Sequence, residues 1–587
     1  MALFVPVHNA DIARALDEIA DLLELQDENP FRIRAYRNAA RVVGELRFDA
    51  AARLAQGGEL PKLSGIGEDL GAKIGEIAAT GTCALLERLR KKFPAGITEL
   101  LRLPGLGPKR VQALYRGLKV GSLGELQSAA RGGRLRRLPG FGEKTEQKLL
   151  EGLEARLSKT RRFKLAVAAQ YAEPLAKYLG GVIAGSCRRM KDTVGDLDFL
   201  VCSEEPEAAI ERFLHYPEVK DVLASGTTKA SVVLASGIQA DLRVVPQESF
   251  GAALHYFTGS KAHNIAVRRL GQERGLKINE YGVYRGKKRI AGDTEASVYA
   301  ALGLPYIEPE LREDHGELEA ARRGELPRLV ELADLRGDLH AHTKATDGRD
   351  TLAAMAEAAR ARGLQYLAIT EHSRRETMAH GLDPVRLARQ IDEIDRLNAK
   401  LEDVTLLKGI EVDILEDGSL DLPDAVLAKL DLVVAAVHSK FGLPRARQTR
   451  RLLAALENPQ VRILAHPSGR LIGEREPYDV DMLAIVRKAR ERGVALELNA
   501  HPDRLDLTDA HCRMAKDEGV LVAISSDAHS AEGLDVLRYG VGQARRGWLE
   551  KNNVLNTRSL AELGKLLRAP AGRLSKPAHT APSLGAV

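Results

Sequence analysis

The 587-residue chain has four cysteines, Cys83, Cys187, Cys202 and Cys512, and no two are spaced as a pair. That scarcity excludes a disulfide framework and a cysteine-based zinc site, and it suits a reducing cytoplasm. There is one tryptophan, and aromatic residues make up 4% of the chain. No apolar run reaches the length of about 18 residues that a membrane-spanning helix needs. Residues 1–26 are acidic and amphipathic, without the basic flank and apolar core of a secretion signal. No membrane partner is expected.

The length calls for several domains. The net charge is only +6, but it is unevenly spread. Residues 88–164 carry 20 Lys/Arg against 6 Asp/Glu, so the rest of the chain is acidic overall. A basic block on an acidic protein points to a polyanionic partner, most simply nucleic acid. Residues 1–160 read as short helices joined by Gly-rich turns. Strand-like runs at 181–184, 198–202, 231–235 and 240–245 alternate with helical stretches, which predicts a mixed α and β region. Residues 308–335 are charged, poor in large apolar side chains and interrupted by Pro309 and Pro327; the spacing predicts a linker. Beyond it, apolar runs at 365–369, 405–407, 432–437, 463–465, 495–498 and 521–524 alternate with amphipathic helices. This predicts a parallel sheet or barrel with outer helices. The Pro-, Ala- and Ser-rich tail, 569–587, predicts disorder.

One pattern recurs three times near the N-terminus: Leu63-Ser64-Gly65-Ile66-Gly67, Leu103-Pro104-Gly105-Leu106-Gly107 and Leu138-Pro139-Gly140-Phe141-Gly142. An amphipathic helix follows each copy. The glycines let the backbone turn tightly, and the free N–H groups at the helix start can bind a phosphate oxygen. Lys109 and Lys144 stand just beyond the second and third copies. The pattern resembles the helix-hairpin-helix motif, whose backbone contacts position DNA without reading its sequence. With Phe31-Arg32-Ile33-Arg34-Ala35-Tyr36-Arg37 upstream, the first copy is similar to the small N-terminal domain of family X DNA polymerases. In DNA polymerase beta that domain binds the 5′-phosphate of a gap and removes deoxyribose phosphate through a lysine Schiff base. Lys73 falls on that lysine, but Asp69 stands where the family has a basic residue. A carboxylate there repels a 5′-phosphate, so Lys73 reads better as a surface lysine on a DNA-binding helix than as a lyase.

The most informative stretch is Gly185-Ser186, followed ten residues later by Asp196-Leu197-Asp198 at the start of an apolar run. On a strand, residues i and i+2 face the same way. Two such carboxylates repel unless cations lie between them, and hard oxygen ligands suit Mg²⁺ or Mn²⁺. Asp241 supplies a third carboxylate in another strand pattern. Three aspartates on adjacent strands can hold the two metals of phosphoryl transfer, while Ser186 and Arg189 can bind triphosphate oxygens. This is the nucleotidyltransferase pattern. The next segment, Tyr256-Phe257-Thr258-Gly259-Ser260 with Asn264, Arg268 and Ile278-Asn279-Glu280-Tyr281, narrows the resemblance to family X polymerases. By that resemblance Gly185, Ser186, Arg189, Gly195, Tyr256, Phe257, Gly259, Ser260, Lys261 and Asn264 bind the nucleotide. Tyr256 and Phe257 pack on the sugar, Gly259 belongs to the turn that excludes ribose, Asn264 reaches the minor-groove edge, and Arg268 contacts the template side. Gln239 replaces an arginine of the mammalian enzyme, and Lys261 replaces an acidic residue. A cation at 261 predicts dNTP binding before DNA arrives.

Six histidines end apolar runs in the second half: His340, His342, His372, His438, His466 and His529. Asp347, Glu411 and Asp527 join them. The C-terminal rim of a parallel barrel is where active sites assemble. The set resembles the polymerase-and-histidinol-phosphatase (PHP) family, which folds as a distorted (β/α) barrel and holds up to three metals. That resemblance implies that all nine residues are ligands. Imidazole mixed with carboxylate suits Mn²⁺, Zn²⁺ or Fe²⁺.

The expected organisation is multidomain, α+β then α/β. It comprises a small helical domain (1–85), a second helix-hairpin-helix domain (86–160), a nucleotidyltransferase palm with a mixed sheet (161–247), a thumb (248–312), a linker (313–334), the PHP barrel (335–568) and the tail. The expected function is gap-filling DNA synthesis in repair, joined to a metal-dependent 3′→5′ exonuclease. Gapped duplex or primer-template DNA and dNTPs are the expected partners. A monomer in the cytoplasm, associated with the nucleoid, is the expected state. Three alternatives share these residues: a DNA-end nuclease or phosphatase whose first half only docks DNA, a non-catalytic DNA-end scaffold, and an untemplated nucleotidyltransferase.

Overall fold

The computed structural model describes residues 7–44, 46, 50–55, 66–94, 96–101, 103, 106–138, 140–142, 145–147, 149–150 and 162–568. The expected disordered tail, together with Gly65, Gly105 and Lys144, lies outside the described residues. Two compact units emerge. One comprises Met1–Arg188, Thr193–Thr258 and Leu276–Val298; the other comprises Arg189–Asp192, Gly259–Gly275 and Tyr299–Val587.

The first unit opens with helices. Asn9–Glu24 carries Ile12, Leu16, Ile19 and Leu23 at steps of four, three and four, and all four are buried. That stripe packs against the helices Pro30–Gly44 and Ala84–Arg90. Each such side chain contributes about 1.5–3 kcal/mol by leaving water. The core they begin runs without a break from Val7 to Leu149, so both helix-hairpin-helix segments share it. Next come β1 (Phe163–Lys164), β2 (Val182–Ile183), β3 (Thr193–Val194), β4 (Asp196–Cys202), β5 (Val219–Ser225), β6 (Lys229–Leu234) and β7 (Gln239–Val245). Strands β1 and β3 pair by themselves, and the others form one mixed sheet in the order β2-β4-β7-β6-β5. Along β7, alternate residues are buried and half-buried, as in a sheet covered on one face. A three-stranded antiparallel sheet, β8 (Lys277–Asn279), β9 (Gly282–Arg285) and β10 (Lys288–Ala291), completes the unit.

The second unit is dominated by seven parallel strands: β11 (Gly337–Ala341), β12 (Tyr366–Ile369), β13 (Thr405–Asp413), β14 (Leu432–Ala436), β15 (Ile463–Leu464), β16 (Ala495–Asn499) and β17 (Val522–Ser525). They pair in sequence order, and a bridge from Ala341 to Ala528 nearly closes the ring. This is the expected barrel. The period of two divides each strand between two cores. Val433, Ala435, Leu496 and Leu498 pack outward on the helices. Leu432, Val434, Ala436 and Ala495 pack inward, where Leu555, Leu563 and Leu567 fill one end. The same inward series continue as His438 after Ala436 and as Glu497 and Asn499 after Ala495. They carry polar groups to the opposite, C-terminal end.

Residues 313–334, expected as a linker, are folded. They include the helix Glu317–Arg323, and Glu317 is buried with its Oε1 2.5 Å from His263 Nδ1. The Tyr299 hydroxyl lies 2.9 Å from the other nitrogen of His263. Burial holds the His263 pKa below its ordinary value.

Candidate functional site

In the palm, β4 and β7 run parallel with Asp198 directly opposite Asp241, and Asp196 lies one pleat along from Asp198. Register thus brings two of the three aspartates side by side. Asp196 is exposed; Asp198 and Asp241 are half-buried. Both oxygens of Asp241 are held: one accepts from Ser231 Oγ, the other from Gln239 Nε2 at 2.9 Å. Gly185 has φ +62, and a Cβ there would lie 2.0 Å from Asp198 Oδ2. Both the left-handed backbone and the contact with the carboxylate require glycine. Ser186 follows it in the short helix Gly185–Arg188, and half-buried Gly195 immediately precedes β4. Tyr256 and Phe257 meet edge to face at 5.1 Å, with the Arg243 guanidinium 5.1 Å above the Phe257 ring.

The remaining nucleotide-binding candidates belong to the second unit. Ser260 caps the helix Lys261–Glu273, its hydroxyl accepting from His263 N. Asn264 Nδ2 donates to Gly259 O at 3.2 Å, and a side chain at 259 would collide with Asn264. Lys261 and Arg268 are exposed. Arg189 is engaged by Glu313, its Nε donating to Oε1 at 2.9 Å.

Gly67 and Gly107 are the N-caps of the helices Glu68–Thr80 and Pro108–Leu118. Both have extended backbone, and a Cβ at either would meet nothing within 4 Å. Neither backbone angle nor packing demands glycine there; close approach by an external ligand would. Gly142 starts a helical turn in the same way, after Gly140 at φ +83, and Lys109 is exposed beside Gly107. Lys73 is paired with Asp69 through Nζ and a carboxylate oxygen, and that bond holds the Asp69 pKa below its usual range.

At the C-terminal end of the barrel the nine candidates converge. His342, Asp347, His372 and His529 offer ligand atoms within 4.8 Å of one another; so do His340, His342 and Asp527, and so do His372, Glu411 and His438. His466 joins through Nε2, 2.9 Å from Glu411 Oε1. Glu411 is the hub: His372 Nδ1 is at 2.8 Å, His438 Nε2 at 3.1 Å and His340 Nε2 at 3.5 Å. His466 and Asp527 have φ +27 and +54, a left-handed backbone costly for such residues.

Electrostatics fit a cation here. Burial penalises ionised Glu411 and Asp527, yet the surrounding imidazoles hold both pKa values well below the usual range. Burial likewise opposes charge on His340, His372 and His438, but the carboxylates raise all three, His438 to about 9. His342 differs. Burial and the neighbouring imidazoles of His529 and His372 push it down to about 3, so it stays neutral with a free lone pair. Both of its nitrogens are buried without a well-directed hydrogen bond, as are His340 Nε2, Asp347 Oδ1 and Glu411 Oε2, although His342 Nε2 lies 3.2 Å from Asp527 Oδ1 and His372 Nδ1 lies 2.8 Å from Glu411 Oε2. Orphaned polar atoms at this density are costly unless something satisfies them. Divalent ions would, because every atom named is a metal-ligand type.

Several residues here carried no sequence signal of their own. Asp338 is fully buried and accepts from Ser526 N at 3.1 Å and from Ser526 Oγ, which fixes the turn bearing Asp527. Burial raises its pKa to about 6. Glu371 gathers Thr343, Thr346 and Gln390. Glu376 and Asp413 make a further cluster with His438. Glu497 lies behind His340. Asp338, Glu371 and Glu376 stand near motif histidines and Asp413 near Glu411, which could have pointed to them; nothing local pointed to Glu497.

The chain matches four known families. These are a helix-hairpin-helix domain over residues 7–83, a SAM-like helix-hairpin-helix tandem over 97–155, the DNA polymerase beta thumb over 253–313 and the PHP domain over 338–501. It is 41% identical over 574 residues to the DNA polymerase/3′-5′ exonuclease PolX of Bacillus subtilis, covering 96% of this chain and 100% of that protein. A probable phosphatase of Caldanaerobacter subterraneus is 32% identical over 203 residues, covering 33% of this chain and 75% of that protein. One from Thermoanaerobacter sp. is 29% identical over 240 residues, covering 39% and 91%. Among the described residues, no helix is long and apolar enough to cross a membrane.

Proposed function

The chain belongs to the family X DNA polymerases that carry a PHP domain, the family of the Bacillus subtilis polymerase/exonuclease, and from that premise we propose that it fills short gaps in duplex DNA and trims 3′ ends during repair. Its polymerase centre is Asp196, Asp198 and Asp241, which would hold two Mg²⁺ or Mn²⁺. Its nuclease centre is His340, His342, Asp347, His372, Glu411, His438, His466, Asp527 and His529, which would hold up to three ions of Mn²⁺, Zn²⁺ or Fe²⁺. Ions at such centres supply Lewis acidity and neutralise charge on phosphoryl oxygens.

The chain's own groups do the positioning. Ser231 and Gln239 hold the Asp241 carboxylate in one orientation. Gly185, Ser186, Arg189 and Gly195 would receive the triphosphate, and Tyr256, Phe257, Gly259, Ser260 and Asn264 the sugar and base. Lys261 would draw in dNTP before DNA; loss of dNTP affinity in Lys261→Ala without DNA tests this, and unchanged affinity contradicts it. Gly65, Gly67, Gly105, Gly107, Gly140 and Gly142, with Lys109, Lys144 and Arg268, would grip the DNA backbone regardless of sequence. Pairing of Lys73 with Asp69 favours a surface role over lyase chemistry, which needs a neutral amine. We place the protein in the cytoplasm, acting as a monomer.

Two observations carry this reading: nine motif residues converge on one barrel rim, and within the palm Asp198 and Asp241 stand in register. A one-nucleotide-gapped duplex, 5′-labelled on the primer, tests it. With dNTPs and Mn²⁺ the primer should lengthen, and without dNTPs it should shorten. Shortening without any extension would leave only the end-nuclease reading.

A further inference from the structure

Glu497 lies on β16 between Ala495 and Asn499, facing into the barrel, and is fully buried. It is outside the nine candidate ligands. Its Oε1 is 2.6 Å from His340 Nδ1, and its Oε2 accepts from His466 N at 2.8 Å and Asn499 Nδ2 at 3.4 Å. Both oxygens are therefore committed to protein groups. The far side of the His340 ring differs. Nε2 is buried with no hydrogen-bond partner, 3.5 Å from Glu411 Oε2 and 3.6 Å from Asp527 Oδ1.

As a metal ligand an imidazole is neutral, with one N–H and one lone pair, and the bond made by one nitrogen decides which the other presents. A carboxylate can only accept. It therefore keeps the proton on His340 Nδ1 and leaves the Nε2 lone pair turned toward Glu411 and Asp527. We infer that Glu497 is a positioning residue for the nuclease centre: it fixes the tautomer and ring angle of His340 so that Nε2 is available to a metal ion, and through His466 N it steadies a second ligand. This rests on the reading of the barrel as a metal-dependent phosphoesterase.

Two substitutions separate positioning from packing. Glu497→Gln keeps the size but brings an amide that can donate to Nδ1, which would move the ring proton to Nε2. Glu497→Asp keeps the acceptor but removes a methylene and leaves a void. Packing alone therefore ranks aspartate as the worse change, and positioning ranks glutamine as the worse.

The experiment titrates Mn²⁺ into the full chain without DNA or dNTPs, by calorimetry, for wild type, both variants and His342→Ala. Circular dichroism and gap extension serve as checks that the chain is folded. Losing a partner behind a metal-bound histidine typically costs about 10–100-fold in affinity or activity. Glu497→Gln should weaken at least one Mn²⁺ by that factor, and Glu497→Asp by clearly less. Wild-type affinity in Glu497→Gln, or a larger loss in Glu497→Asp, overturns the inference while the metal-centre reading stands. Failure of His342→Ala to remove any Mn²⁺ site overturns that reading, and the inference with it.

Discussion

The palm and the barrel each gather groups suited to metal ions, but they are built differently. In the palm the candidate ligands are three carboxylates near the starts of the interior strands β4 and β7, one of them exposed. In the barrel, imidazoles and carboxylates enclose one another so tightly that several polar atoms have no partner. Among the described residues, the clusters able to enclose an ion all lie in the barrel. Mg²⁺ keeps much of its water and is usually bound by one or two carboxylates together with substrate phosphates. A sparse palm therefore suits a centre that the nucleotide completes, whereas the crowded barrel suits one that the protein completes in advance.

That contrast can be broken by exchanging losses. Asp241→Ala should cut gap extension by about 10³-fold, since a metal centre is worth several kcal/mol of charge stabilisation, and leave 3′ trimming unchanged. His342→Ala should do the reverse. Primer-labelled assays read both, and loss of both activities in either variant would argue against two separate centres.

A smaller effect sharpens the palm side. Ser231→Ala removes one of two bonds to Asp241, worth about 0.5–1.5 kcal/mol. Extension should fall about 2- to 10-fold, with trimming untouched. An unchanged rate would mean that Gln239 alone orients the carboxylate.

The smallest effect concerns DNA shared by both centres. Lys109→Ala should weaken binding to duplexes of any sequence by the same factor and lower the slope of log K against log salt by about 1. A change that depends on sequence would contradict a backbone-only grip.

The barrel was largely legible in the sequence because its strands are apolar on both faces and end in histidine motifs. In the palm a different signal served: alternation marked β7, which is covered on one face, and the Asp-x-Asp spacing marked the start of β4. Strand β5 was not legible: it is an edge strand exposed along nearly its whole length, with Val222 and Leu223 half in water, so burial imposed no pattern on it. The segment 313–334 looked like a linker because its charged residues were counted as solvated, yet Glu317 is buried against His263. Arg189 shows a related limit. Its partner Glu313 is 124 residues away in sequence, so no local pattern could show the pairing. Asp338 and Glu371 adjoin motif histidines, which hinted at the site but not at their hydrogen-bond roles, and Glu497 was invisible because a lone acidic residue in an apolar run says nothing of what it will meet.

The most direct test of the two-centre account is a Mn²⁺ titration of the full chain without DNA or nucleotide, repeated for Asp241→Ala and His342→Ala. The account predicts tight sites that survive Asp241→Ala and are lost in His342→Ala, with a further weak site appearing only when dNTP is added. Tight sites that vanish in Asp241→Ala, or persist in full in His342→Ala, would contradict it.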